Sequence, residues 1–113
     1  MIHYILDDHR LAVPTDLMTW GEWLERASET RERVVAQEDI GSYWVSTVFV
    51  GIDMSFNFGD PLLFETMLFD RASDRPWSDV WMNRCSTWDE AVDMHEEGVR
   101  EAQRLLRLLP MVI

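Results

Sequence analysis

The chain has 113 residues, 47% of them hydrophobic and 12% aromatic, with 21 acidic against 10 basic side chains and a formal charge of −11. That length suits one domain around one modest core, and that apolar content excludes a disordered tail. The charge argues against direct nucleic-acid binding, which needs a cationic face to displace counterions, and against adhesion to anionic lipid; no apolar run approaches the ~20 residues that span a bilayer.

In chain order, Ile2 to Leu6 alternates and reads as a short strand. Asp7-Asp8-His9-Arg10 is a turn, from which Leu11-Ala12-Val13 returns before Pro14. Asp16 to Thr30 reads as a helix, with Leu17, Trp20, Trp23 or Leu24, and Ala27 at helical spacing. Thr15 or Thr19 is the expected cap, Thr19-x-x-Glu22 having the form of a capping box, and Glu22–Arg26 is an expected i,i+4 pair. Arg33 to Ile40 and Tyr43 to Ile52 are two strands joined at Asp39-Ile40-Gly41-Ser42. The second of these is apolar on both faces and so expected in the sheet interior.

Asp53 to Asp60 is a loop, Leu62 to Phe69 a strand, Asp70 to Pro76 a polar turn and Val80 to Cys85 an edge strand. Ser86 or Thr87 then caps a final helix over 88–109, Thr87-x-x-Glu90 again having capping-box form. Its expected buried stripe is Trp88, Ala91, Val92, His95, Val99, Ala102, Leu105 and Leu106. The order β-α-β-β-β-(β)-α predicts an α+β fold: an antiparallel sheet of four or five strands with two helices packed on one face. A partly open second face would carry Trp or Phe side chains as a contact patch.

Chemistry is sparse. Cys85 is the single cysteine, so no intramolecular disulfide forms and a reducing cytoplasm is the expected compartment. The start of the chain has no basic and apolar leader pattern. Asp7-Asp8-His9 and Asp93-x-His95-Glu96 lack metal-ligand spacing, no glycine loop cradles phosphate, and no nucleophile elbow surrounds Ser46 or Thr47. No metal and no cofactor is therefore expected. Asp53, Glu65 and His95 are the candidates for an acid–base or small-ligand site, if they converge.

The stronger signal is acidic. Asp89, Glu90, Asp93, Glu96 and Glu97 gather on the final helix, and Asp70, Asp74 and Asp79 lie just before it. Trp77 and Trp81 flank the last of these and are the candidate exposed anchors, because Trp dominates binding hot spots. Together these ten residues predict an anionic flank that steers toward a basic partner.

The run Arg33-Val34-Val35-Ala36-Gln37-Glu38-Asp39-Ile40-Gly41, then Val45-Ser46-Thr47-Val48-Phe49-Val50-Gly51-Ile52-Asp53, then Pro61-Leu62-Leu63-Phe64-Glu65-Thr66-Met67, resembles a family of small uncharacterised proteins common in phage, prophage and metagenomic sequences. Cys85-Ser86-Thr87-Trp88-Asp89-Glu90-Ala91 and the helix that follows fit it too, so the likeness covers about residues 33–107. In that family a His often follows the Asp of the Gly-x-Asp motif; this chain has Met54 there. The resemblance implies a phage accessory protein acting in the host cytoplasm. By analogy with acidic anti-CRISPR proteins, it implies an inhibitor that covers a basic nucleic-acid site on a host protein or nucleoprotein complex. A homodimer or a virion-assembly role, through a strand edge or sheet face, is the alternative association.

Overall fold

The computed structural model describes residues 2–56 and 58–108. Strands β1 (His3–Leu6) and β2 (Ala12–Thr15) form an antiparallel hairpin. Asp7 closes it, its carboxylate accepting from the His9 and Leu11 amides at 2.8 and 3.0 Å. Helix α1 (Leu17–Thr30) follows at once. Its cap is Asp16, which accepts from the Thr19 amide at 2.8 Å. The expected Thr15 or Thr19 cap is thereby corrected: Asp16 already offers the first turn a charged acceptor, and Thr19 becomes a donor to it. Glu22 and Arg26 are both exposed and form no ion pair among the described residues.

The main sheet is a four-strand antiparallel meander, β3 (Val34–Ile40), β4 (Tyr43–Phe49), β5 (Phe64–Asp70) and β6 (Asp79–Cys85), in that spatial order. β4 is interior, as its two apolar faces require. It ends at Phe49, short of the expected Ile52, which instead bridges His3 of the hairpin. Helix α2 (Trp88–Leu108) crosses one face of this sheet, and the capping box forms, the Glu90 amide donating to Thr87 Oγ1 and the Thr87 amide to Glu90 Oε1. Leu109, the last residue of the expected helix, lies outside the described residues.

The core fills the space between sheet and helices in two clusters. Trp23 and Ala27 of α1, Phe49, Phe64, and Ala91 and Met94 of α2 make the first, with Trp23 edge-on to Phe49 at 5.5 Å. Val45, Tyr43, Leu68 and Ala102 make the second. Both helices thus pack on the side of the sheet that Val45, Thr47 and Phe49 face. The buried residues of α2 are Ala91, Met94, His95, Gly98 and Ala102. Val92, expected in the stripe, is 44% exposed; the helix is rotated so that Gly98 faces the sheet. A Cβ there would stand 3.0 Å from Val45 and 3.1 Å from Thr66, so the glycine sets how closely α2 approaches.

Candidate partner-binding surface

α2 divides into electrically different halves. In the first, Asp89, Asp93, Glu96 and Glu97 are exposed and none has an ion-pair partner among the described residues. Glu90 is exposed too, but its carboxylate is committed to the Thr87 cap. Helical spacing sets Asp89, Asp93 and Glu97 one above another, with Glu96 alongside. In the second half, Glu101 pairs with Arg104 through two hydrogen bonds, which hold the Glu101 carboxyl below its ordinary range; Arg100 and Arg107 add positive charge. The uncompensated anionic stripe is therefore the amino-terminal half of α2.

The 70–79 segment is elsewhere. Its backbone is tied to the β3–β4 turn, the Arg71 amide donating to the Ser42 carbonyl at 2.9 Å. That is the end of the sheet where Leu106, late in α2, lies beside Gly41. With 1.5 Å of rise per residue, Asp89 is about 25 Å away along the helix. The expected single anionic flank is thus corrected to two patches at opposite ends, because β6 runs the length of the sheet between them. Within the second patch, Asp74 and Asp79 are exposed, while Asp70 caps its own turn by accepting from the Ala72 amide at 3.0 Å. Burial and the Asp70 charge together push the Tyr43 hydroxyl above its usual pKa.

The two anchor candidates part company. Trp77 is 71% exposed and lines a shallow apolar depression of about 500 Å³ with Trp44, Phe69, Arg71 and Pro76. Trp81 is corrected: it pairs with Leu68 across the ladder, points to the helix side and packs against the second core cluster beside Gly98.

Asp53, Glu65 and His95 do not converge. Asp53 organises the 53–62 loop, accepting from the Ser55 and Leu62 amides at 2.8 and 3.1 Å. The Ser55 hydroxyl and amide and the Leu62 amide hold its carboxyl below the usual range. Glu65 faces away from the helices and pairs with Arg84 at 3.1 Å. His95 lies on the opposite side of the sheet, its ring buried under α2. There it joins a chain that the sequence did not announce. Thr66 Oγ1 lies 2.6 Å from Thr47 Oγ1, Thr47 Oγ1 lies 2.8 Å from His95 Nδ1, and His95 Nε2 lies 2.9 Å from Glu38 Oε1. With the ring proton on Nε2, each hydrogen points the same way, Thr66 to Thr47 to His95 to Glu38, and every one has an acceptor. The hydroxyl–imidazole–carboxylate order is that of a nucleophile, base and orienting acid, but Thr47 is fully buried, so no substrate reaches it.

Cys85 is half-buried, and its thiol is a poor nucleophile at neutral pH. Burial, with Glu90 and Glu97 nearby, pushes its thiol above the ordinary cysteine range, up to about 11. At pH 8 the reactive thiolate is then about 100-fold scarcer than in the unfolded chain. Iodoacetamide should modify the folded protein about that much more slowly than the urea-unfolded one, read by mass spectrometry over time.

No family model, curated protein or solved structure matches the chain. Among the described residues no helix is long and apolar enough to cross a membrane, and no three His, Cys, Asp or Glu side chains gather as metal ligands do.

Proposed function

We propose that this chain is a non-catalytic binding protein, a small phage-type inhibitor of host defence whose acidic helix docks on a basic, nucleic-acid-binding surface of a host protein or nucleoprotein complex. The observation that carries this reading is the amino-terminal half of α2, four exposed carboxylates on one solvent face with no cationic partner among the described residues. A rigid helix holds them at fixed spacing, so the stripe presents a line of charge with little ordering cost. Such a surface raises association rates with a cationic groove and loses that advantage as salt rises. Non-catalytic action is favoured because the candidate acid–base residues are dispersed and the one triad-like chain is sealed in the core.

The test is a variant carrying Asp89→Asn, Asp93→Arg and Glu97→Arg. These side chains are exposed and unpaired, so stability should change by no more than about 1 kcal/mol. In affinity capture from host lysate at low salt, the wild-type protein should retain nucleic-acid-binding proteins that duplex DNA displaces. The variant should retain them at least ~10-fold less. Equal recovery by the variant, or partners that DNA does not displace, overturns the proposal.

A further inference from the structure

An antiparallel sheet can leave one face in water when that face is polar. The face of β3–β6 turned away from the helices is not. Across its strands Trp44 stacks on Phe69 at 5.7 Å, Met67 stands opposite Met82, and Val48 lies beside Glu65. Trp77 extends the patch from the β5–β6 loop, and Met82 is 38% exposed. No helix packs over it among the described residues; Trp44, Val48, Met67 and Phe69 are half-buried by their neighbours, and the Gln37 amide, donating to the buried Ser46 hydroxyl at 2.9 Å, closes a polar spot at the centre.

The charges on this face are as informative as its apolar groups. Asp39 pairs with Arg71 at 3.0 Å, and Glu65 with Arg84 at 3.1 Å. Arg71 also lies over the Trp44 ring, 4.8 Å from its centroid. With Asp79 paired to Phe69 across the ladder and Arg31 donating to Gln37 at the edge, the face holds three acids and three bases on a molecule whose formal charge is −11. A strongly cationic partner finds no complement here, and neither does an anionic one. A surface carrying both signs beside an apolar centre is complementary to itself, as an isologous two-fold interface requires. Four strands at ~4.8 Å and seven residues at ~3.3 Å make a platform about 19 by 23 Å. Two such faces bury roughly 900 Å², and with the Trp77 loops added they come near the ~1,200 Å² lower bound of stable interfaces, the size of a weak, concentration-dependent dimer.

We propose that the protein self-associates as a two-fold dimer, a second copy packing its open sheet face on the first as two sheets of a sandwich, ~10 Å apart. This is independent of the α2 reading, because α2 lies on the other side of the sheet. The dimer carries its two acidic stripes outward on opposite sides, so each copy keeps its charged helix free.

Sedimentation velocity from about 10 to 500 µM tests this, at low salt and at about 0.5 M. The wild-type protein should pass from monomer to dimer across that range. Salt should strengthen the dimer, since screening relieves the repulsion between two acidic copies, the opposite of its effect on a basic partner. Met82→Lys and Trp77→Asp should each weaken association at least ~10-fold with unchanged circular dichroism and melting temperature. The Asp93→Arg, Glu97→Arg change should not weaken it. Should Met82→Lys lose its fold, Trp77→Asp, in an exposed loop, decides alone. Monomer throughout, a dimer that survives Trp77→Asp undiminished, or one that dissolves as salt rises overturns the proposal.

Discussion

Gly51→Ala should lower unfolding free energy by about 3 kcal/mol or more, the sum of a left-handed backbone penalty and an overpacking cost. Gly51 sits at φ +77°, where an L side chain is strained whatever the space around it. Here the space is also taken. A Cβ would stand 2.6 Å from the Tyr4 carbonyl oxygen, 2.7 Å from Trp20 Nε1 and 3.0 Å from a Phe49 ring carbon. The nearest atom is backbone, and it cannot swing aside, because the Tyr4 amide donates to the Gly51 carbonyl at 2.8 Å and the next residue pair, His3 and Ile52, forms a bridge. This short stretch docks the β1–β2 hairpin on the main sheet, so relief comes only by undocking the hairpin. Gly59→Ala is the control: Gly59 has φ +76° but nothing within 4 Å of an added Cβ. It should cost only the backbone term, about 1 kcal/mol. Urea unfolding of both variants measures the difference. Equal losses would mean that the close approach at Tyr4 contributes nothing.

Much of this architecture is legible in the chain itself. The run from Tyr43 is nearly all β-formers and makes the interior strand; Thr87-x-x-Glu90 makes its capping box; an antiparallel sheet with two helices on one side follows from the element order, although the first strand, counted in that sheet, pairs with β2 in a hairpin of its own. What escaped is whatever depends on pairing between distant segments. Asp16 outcompetes Thr19 as a cap because a carboxylate next to the first turn accepts more strongly, a choice that spacing alone leaves open. Val92 and Met94 exchange places because the helix phase is set by Gly98 against Val45 and Thr66, not by hydrophobicity. Trp81 turns inward because the ladder aligns it with Leu68. The acids of 70–79 and of α2 are close in sequence yet lie apart, because a whole strand intervenes. Glu65 and Thr66, adjacent in sequence, fall on opposite faces by strand alternation, and this separates Glu65 from His95 while bringing Thr66 toward it.

The buried chain from Thr66 to Glu38 yields an asymmetric result: Thr47→Val should destabilise the protein by about 2–4 kcal/mol, and Thr66→Val by about 1 kcal/mol. Valine matches threonine in shape, so neither change opens a cavity, and the difference reports hydrogen bonding. Thr47 is the middle link. Without its hydroxyl, His95 Nδ1 loses its donor and the Thr66 hydroxyl loses its acceptor, leaving two polar groups unsatisfied where both threonines and the histidine are buried. Thr66 is the end link. Without its hydroxyl, Thr47 still donates to His95, and only one accepted hydrogen bond is gone. If the hydrogens ran the other way, from His95 toward Thr66, the Thr66 hydroxyl would need a further acceptor, and none is within reach among the described residues. His95→Ala should be worse than either, about 3–5 kcal/mol, since it removes the ring that fills the space under α2 as well as both of its bonds. Thermal or urea unfolding ranks the three. A Thr66→Val loss equal to or larger than that of Thr47→Val would reverse the direction of the chain. The double variant tests coupling: once Thr47 is valine, removing the orphaned Thr66 hydroxyl should restore stability, because replacing both partners by apolar groups of the same shape eliminates the unsatisfied donor.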